Sequence, residues 1–161
     1  DIEQSIHFYE EGMEKMQLGD AKRRILNYSM ELLHVLVYGK DFSRSSKYLK
    51  RSQLILKKMA DVGPDKTLLD TIESYIAIST DGKECENIES LYIQTQREKD
   101  PHYLSFYYLG KSFEKIDNMS KKKECMNKAQ DLLDIIAHNM SDSSHRDSFK
   151  TTHLIHQEIF R

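Results

Sequence analysis

The chain has 161 residues and a formal net charge of −2, with 31% charged and 39% hydrophobic residues. This length is enough to bury a core, and the composition is that of a globular protein rather than a disordered one. The near-neutral charge gives no reason to expect direct binding to nucleic acid or to a membrane surface, and no apolar run is long enough to span a bilayer.

The two cysteines and the first residues bear on the compartment. Cys85 and Cys125 are isolated in the sequence and form no CxxC motif. Isolated thiols are typical of a reducing compartment, so we expect a cytoplasmic protein. The stretch DIEQSIHFYEEG is acidic and mixed, unlike a secretory signal. Because the chain begins at Asp1 rather than at Met, we expect it to be a segment of a longer protein.

Apolar residues recur at helical spacing along almost the whole chain, which predicts an all-α protein. Gly19-Asp20, Gly39 to Asp41, Gly63-Pro64 and Asp100-Pro101 interrupt the pattern. Asp41 is expected to cap a helix, and Asp100 is expected to cap a helix that has Pro101 at its first position. The expected helices are about 2–18, 21–38, 42–60, 101–116, 120–139 and one or two within 144–160. Between them, a fourth helix is expected to hold Leu68 to Ile76 and to stop at Asp81-Gly82, and a fifth is expected to hold Ile88 to Thr95.

Short connections force neighbouring helices to be antiparallel, so these helices form pairs. The pairs are expected at about 20–60, 65–99 and 101–139, with flanking helices at 2–18 and 144–160. Helix pairs in sequence stack into a solenoid. We therefore expect one helical-repeat domain over residues 1–161.

A glycine lies inside the sixth expected helix, where it costs about 1 kcal/mol relative to alanine. Segment 103–136 resembles the tetratricopeptide repeat, a helix hairpin with Leu-Gly in its first helix. Leu109-Gly110 lies where that family has Leu-Gly, Phe113 where it has an aromatic residue, and Ala129 where it has a small residue. The resemblance implies that the second helix approaches Gly110 closely. A generic antiparallel helix pair with a chance glycine is the alternative.

The segment departs from the family pattern at two positions: Lys122 replaces a small residue and Asp134 replaces proline. The pair before it matches weakly in the same frame, with Ile76 in place of the glycine. In the first pair, Ser45 and Ser52 are small residues expected to face the leucines of its first helix. The resemblance covers about residues 20–139 and implies a tetratricopeptide-like α-α superhelix of antiparallel helix pairs.

A second resemblance concerns residues 132–149. Ile136-Ala137, Asp142, Arg146 and Ser148-Phe149 are similar to a stretch that follows the repeat array in large bacterial signalling proteins, including transcription activators and kinases with built-in ATPase domains. This resemblance implies that the chain belongs to a bacterial signalling protein, and we expect that protein to be a transcription regulator.

The sequence contains no motif that predicts catalysis. It has no phosphate loop, no GxGxxG and no GxSxG. His153 and His156 are spaced to share a helix face, but surface histidines are the expected reading. We therefore predict no catalytic, cofactor-binding or metal-binding residues, and a non-enzymatic protein.

A partner-binding groove is the expected functional surface, because first helices line the concave face of a repeat array. The candidate groove residues lie off the packing stripe of their helices: Asn27, His34, Tyr38, Tyr107, Lys111 and Glu114. The expected partners are a protein or peptide, or other domains of the same chain. A face that binds nothing is left open. The alternative functions are a peptide-pheromone receptor domain of a quorum-sensing regulator, and a structural or dimerisation segment with an apolar patch at Ile155, Ile159 and Phe160, which would form a homodimer.

Overall fold

A computed structural model describes residues 2–15, 22–59, 63–81 and 87–160, and every regular element in these ranges is an α-helix. The predicted all-α class is confirmed. In chain order the helices are α1 (Ile2–Lys15), α2 (Lys22–Tyr38), α3 (Phe42–Leu56), α4 (Gly63–Asp81), α5 (Ile88–Arg97), α6 (Tyr103–Lys115), α7 (Met119–His138), α8 (Ser143–Thr152) and α9 (Leu154–Ile159). The expected link at Gly19-Asp20 and the thiol of Cys85 lie outside the described residues.

Two predicted helix boundaries are wrong. Helix α3 ends at Leu56 rather than near residue 60, because the Lys58 N–H bonds the Ile55 carbonyl at 3.0 Å and so tightens the last turn. Helix α6 begins after Pro101, not at it. Its N-cap is His102, whose Nδ1 accepts the Leu104 N–H at 3.2 Å.

The expected break at Gly63-Pro64 is instead the start of α4. Proline is tolerated in the first helical turn because the N–H it lacks has no partner within the helix there. The break in the sequence pattern therefore indicates where this helix begins.

The chain divides into two compact units, Asp1–Leu69 and Asp70–Arg161. In the first unit α1 packs on α2, and α2 packs on α3. Its core is built around the buried side chains Ile6, Leu32, Leu36 and Tyr48, with Tyr9, Tyr28 and Val35 packed against them. The small residues Ser45 and Ser52 are fully buried on α3, as their positions in the pattern predicted.

The second unit has its own core, centred on the α6–α7 hairpin. Its fully buried side chains include Leu109, Phe113, Cys125, Ala129 and Leu133. Helix α5 packs on α6, where the Tyr92 and Phe113 rings meet edge to face. Helices α8 and α9 pack on α7 and on each other.

The turn between α2 and α3 carries a defined set of hydrogen bonds. Lys40 has a left-handed backbone with a φ of 61°, and the Asp41 N–H bonds the Leu36 carbonyl at 2.9 Å. The Asp41 carboxylate then accepts the Arg44 N–H at 3.0 Å. This is a Schellman ending followed at once by an N-cap, so the chain reverses within very few residues and the N-cap predicted at Asp41 is confirmed.

The turn between α6 and α7 has the same construction. Asp117 is left-handed with a φ of 59°, and the Asn118 N–H bonds the Phe113 carbonyl at 2.9 Å. The Asn118 side chain accepts the Lys121 N–H at 3.2 Å. The two hairpins therefore share one turn design, although no glycine occupies the left-handed position in either turn.

Gly110 lies on α6 where side chains of α7 pack tightly against it. A Cβ added to this glycine would lie 3.1 Å from the Met126 Sδ and 3.4 Å from the Cys125 Cβ. Both neighbours belong to the second helix of the hairpin. The expectation that this helix approaches Gly110 closely is confirmed.

Candidate partner-binding site

The candidate groove residues of the first unit lie on one side of α2. Asn27 is exposed, Tyr38 is half-buried, and His34 is only 7% exposed. The imidazole of His34 is thus part of the packed interior rather than an open surface. Counted from the shared turn, His34 occupies the position in the first hairpin that Lys111 occupies in the second.

The candidate residues of the second unit come together on one face of α6. Tyr107, Lys111 and Glu114 follow one another at helical spacing, and the Lys111 Nζ lies 3.3 Å from a Glu114 carboxylate oxygen. Two residues from other helices complete the group. We call these five residues, Tyr107, Lys111, Glu114, Lys122 and Glu158, the α6 network.

Glu158 of α9 joins the network through its carboxylate. The Tyr107 hydroxyl donates to a Glu158 carboxylate oxygen at 2.8 Å, and the Lys111 Nζ lies 3.5 Å from the same carboxylate. Lys122 of α7 donates to Glu114 at 2.5 Å. Two carboxylates and two ammonium groups therefore alternate along the face, with a phenol at one end.

The pKa shifts of Tyr107, Lys111 and Glu114 favour the neutral phenol, the ammonium group and the carboxylate near neutral pH. Burial raises the pKa of Tyr107, and the Glu158 carboxylate raises it further, so the phenol stays protonated and donates. Burial lowers the pKa of Lys111, but Glu158 and Glu114 outweigh this and the net shift is upward. The hydrogen bond from Lys122 lowers the pKa of Glu114. This arrangement suits recognition of charge rather than proton transfer.

His156 ties α9 to α6 and α8 next to the network. Its Nε2 lies 2.9 Å from the Tyr103 hydroxyl, and its Nδ1 lies 2.7 Å from the Phe149 carbonyl oxygen. Because the carbonyl can only accept, we assign the proton of the neutral ring to Nδ1, and the phenol donates to Nε2. Burial lowers the pKa of His156, which favours this neutral form.

The sequence predicts three members of the network and does not predict Glu158 or Lys122. Lys122 is one of the two departures from the family pattern, and Asp134 is the other. In the structure both departures form ion pairs: Lys122 with Glu114, and Asp134 with Lys150 of α8 at 2.5 Å. A charged residue where the family has a small residue or proline could therefore have indicated an ion pair at each of these two positions.

The pattern that follows the repeat region also has a structural role. Asp142 is the N-cap of α8, and its carboxylate accepts the Ser144 N–H at 2.8 Å. An Arg146 guanidinium nitrogen donates to the Met140 carbonyl at 2.9 Å. These residues fix the start of the helix that leads to α9.

The other sequence features do not form a second site among the described residues. Burial raises the pKa of the Cys125 thiol to about 12, so it is no nucleophile at neutral pH. The His153 and His156 rings lie 4.8 Å apart, but the described ranges hold no group of three or more metal-ligating side chains. Of the three residues named for the dimerisation alternative, Ile159 is buried, and Ile155 and Phe160 are half-buried.

We searched for similar proteins and found no match among protein-family models, curated proteins or solved structures. The described helices also include none that is long and apolar enough to cross a membrane.

Proposed function

We propose that this chain is a non-enzymatic, tetratricopeptide-like interaction module of a bacterial signalling protein, specifically a transcription regulator. The repeat assignment is supported by the two hairpins, which share one turn design, and by the tight approach of α7 to Gly110. The assignment to a bacterial regulator is supported by the sequence pattern at Asp142 and Arg146 alone.

The observation that carries the proposal is the α6 network. Lys111 and Glu114 are half-buried on this helix face and offer directional contacts to a peptide or a partner helix. Tyr107 is only 4% exposed and donates to Glu158, so its phenol contacts a partner only where the partner replaces that carboxylate. The aromatic side chains next to it are buried and packed: Tyr108 of α6 lies against Tyr75 of α4 with the ring centroids 5.8 Å apart. A rigid, charged face of this kind binds partners with little loss of side-chain freedom.

In this account the module works as a scaffold. A partner that engages Lys111 and Tyr107 is held at α6, and the hairpin transmits its presence to neighbouring domains of the same regulator. The fixed charges select the partner by electrostatic complementarity, which affects the association rate and the specificity more than the affinity alone.

The test is peptide selection followed by charge reversal. Random peptides displayed on phage are selected against the chain, and the affinity of each recovered peptide is measured by fluorescence anisotropy. Lys111→Glu should weaken binding by about tenfold or more, because a like charge now faces the partner's carboxylate. Lys111→Met keeps the apolar stem and should lose the charge contribution only.

Lys123→Glu is the matched control, since this lysine is exposed on the same hairpin but lies outside the α6 network. Circular dichroism of each variant checks that the fold is kept. Peptides whose binding responds equally to Lys111→Glu and Lys123→Glu would contradict the proposed site.

A further inference from the structure

Helix α9 is a small element held on the second unit through specific polar contacts. It has six residues, and His153 with an extended backbone separates it from α8. A helix this short is not stable by itself, so tertiary contacts must hold it in place. Of its side chains, only His156 and Ile159 are buried, while Leu154 is 53% exposed.

The side chains of α6 that we propose to bind a partner already have partners on α9. Glu158 accepts from Tyr107 and pairs with Lys111, and His156 accepts from Tyr103. A carboxylate from any other segment would need these same donors. The α6 face is therefore occupied by the chain itself.

Release of α9 does not require the hairpin to unfold. The fully buried side chains of the α6–α7 hairpin include Leu109, Phe113, Ala129 and Leu133. These core positions lie on α6 and α7, and α9 contributes to the unit through Ile159 and its polar contacts. Elements with few buried apolar side chains open locally at low cost compared with global unfolding.

We propose that α9 is an internal ligand of the α6 face and competes with the partner for it. This inference rests on the proposed function and specifies the partner: a short helical segment that presents a carboxylate followed directly by an aliphatic side chain, as Glu158-Ile159 does. The partner displaces α9, and the affinity measured for it is reduced by the fraction of time that α9 is docked.

The test uses a fluorescent synthetic peptide with the sequence of residues 153–160 and three forms of the full chain. These are the unchanged chain, Glu158→Lys, which places a positive charge against Lys111 and releases α9, and Asp147→Lys, which makes the same charge reversal at an exposed site on α8. The peptide should bind Glu158→Lys about tenfold more tightly than either other chain. A peptide with Gln in place of the glutamate should lose most of this binding.

A second measurement is independent of any substitution. Excess unlabelled peptide is added to an isotope-labelled, unchanged chain, and amide exchange is followed by NMR. The amides of α9 should exchange faster, while those of α6 and α7 should not.

Equal peptide binding by all three chains, or no binding to a folded Glu158→Lys chain, would overturn the inference. If library-selected peptides still depend on Lys111 in that case, the proposed function stands and only the competition by α9 is wrong. If neither the selected peptides nor the 153–160 peptide depends on Lys111, both proposals fail.

Discussion

At Gly110 the sequence predicts a close contact between helices, and the structure shows one. The Gly110 Cα faces the Met126 thioether and the Cys125 Cβ, both on α7. Cys125 is fully buried and cannot move away, whereas Met126 is half-buried and flexible. A small addition at this position is therefore absorbed by Met126, and a large one is not.

We expect Gly110→Leu to destabilise the chain by about 1–3 kcal/mol, because the added atoms overpack the α6–α7 interface. Gly110→Ala is the matched control: its methyl group displaces only Met126, and the gain in helix propensity of about 1 kcal/mol offsets that shift. Urea unfolding followed by circular dichroism gives both free energies. If the Gly110→Leu chain were as stable as the unchanged chain, the claim that α7 packs closely against Gly110 would be wrong.

His156 makes the docking of α9 sensitive to acid. Burial lowers its pKa below the usual value, and the phenol of Tyr103, the Phe149 carbonyl and the His153 ring are the groups that surround it. The unfolded chain therefore binds a proton more readily than the folded chain. This contribution to stability is present above the unfolded pKa of about 6.5 and is lost as the pH falls through the lower folded pKa.

We expect the free energy of unfolding to decrease between about pH 7.5 and about pH 5.5, and part of that decrease to disappear in His156→Gln. His138→Gln, at an exposed position on α7, is the control and should keep the full decrease. Urea unfolding at the two pH values measures the effect, and NMR titration of the His156 ring measures its pKa. A His156 pKa above that of the unfolded chain would refute the predicted sign.

At the scale of elements, the two hairpin turns carry strain. Lys40 and Asp117 adopt the left-handed conformation that glycine adopts most easily. The Schellman hydrogen bonds and the following N-caps stabilise both turns in spite of this cost.

We expect Lys40→Gly to stabilise the chain by about 0.5–1 kcal/mol, since glycine relieves the left-handed strain and loses part of that gain in the unfolded state. Lys40→Val should destabilise it, because a β-branched side chain fits this conformation poorly. Thermal and urea unfolding compare the three chains. Equal stability of the Gly and Val variants would mean that this turn is not left-handed in solution.

The helices were predictable because each one carries its own signal in the sequence. Apolar spacing located α1 to α7, and the sequence predicted Asp41 as an N-cap. The stretch 144–160, for which one or two helices were expected, forms α8 and α9. The start of α6 was missed because His102, an unusual cap, follows the more familiar Asp100-Pro101. A helix start is predicted well when one capping residue is available, and poorly when two neighbouring residues could serve as the N-cap.

The sequence predicts the part of the candidate site that lies on α6, but not the residues that other helices contribute. Tyr107, Lys111 and Glu114 share a helix face, which spacing alone reveals. Glu158 reaches them only through the packing of α9, and no periodicity links residues so far apart in the sequence.

At the scale of the whole molecule, the chain consists of two units that each have a hydrophobic core. Each unit contains one helix hairpin whose two helices are joined by the same kind of turn. The hairpins are α2–α3 in the first unit and α6–α7 in the second. The proposed repeat family explains this duplication, and the near-neutral charge of the chain fits a partner chosen by local charges rather than by a global field.

The most direct test of this account is an NMR titration of the isotope-labelled chain with a peptide selected by phage display. The largest shift changes are expected on α6 around Tyr107 and Lys111, accompanied by changes on α9 around Glu158. Shift changes confined to other helices, with α6 and α9 unaffected at saturation, would contradict the claim that the α6 face is the binding surface.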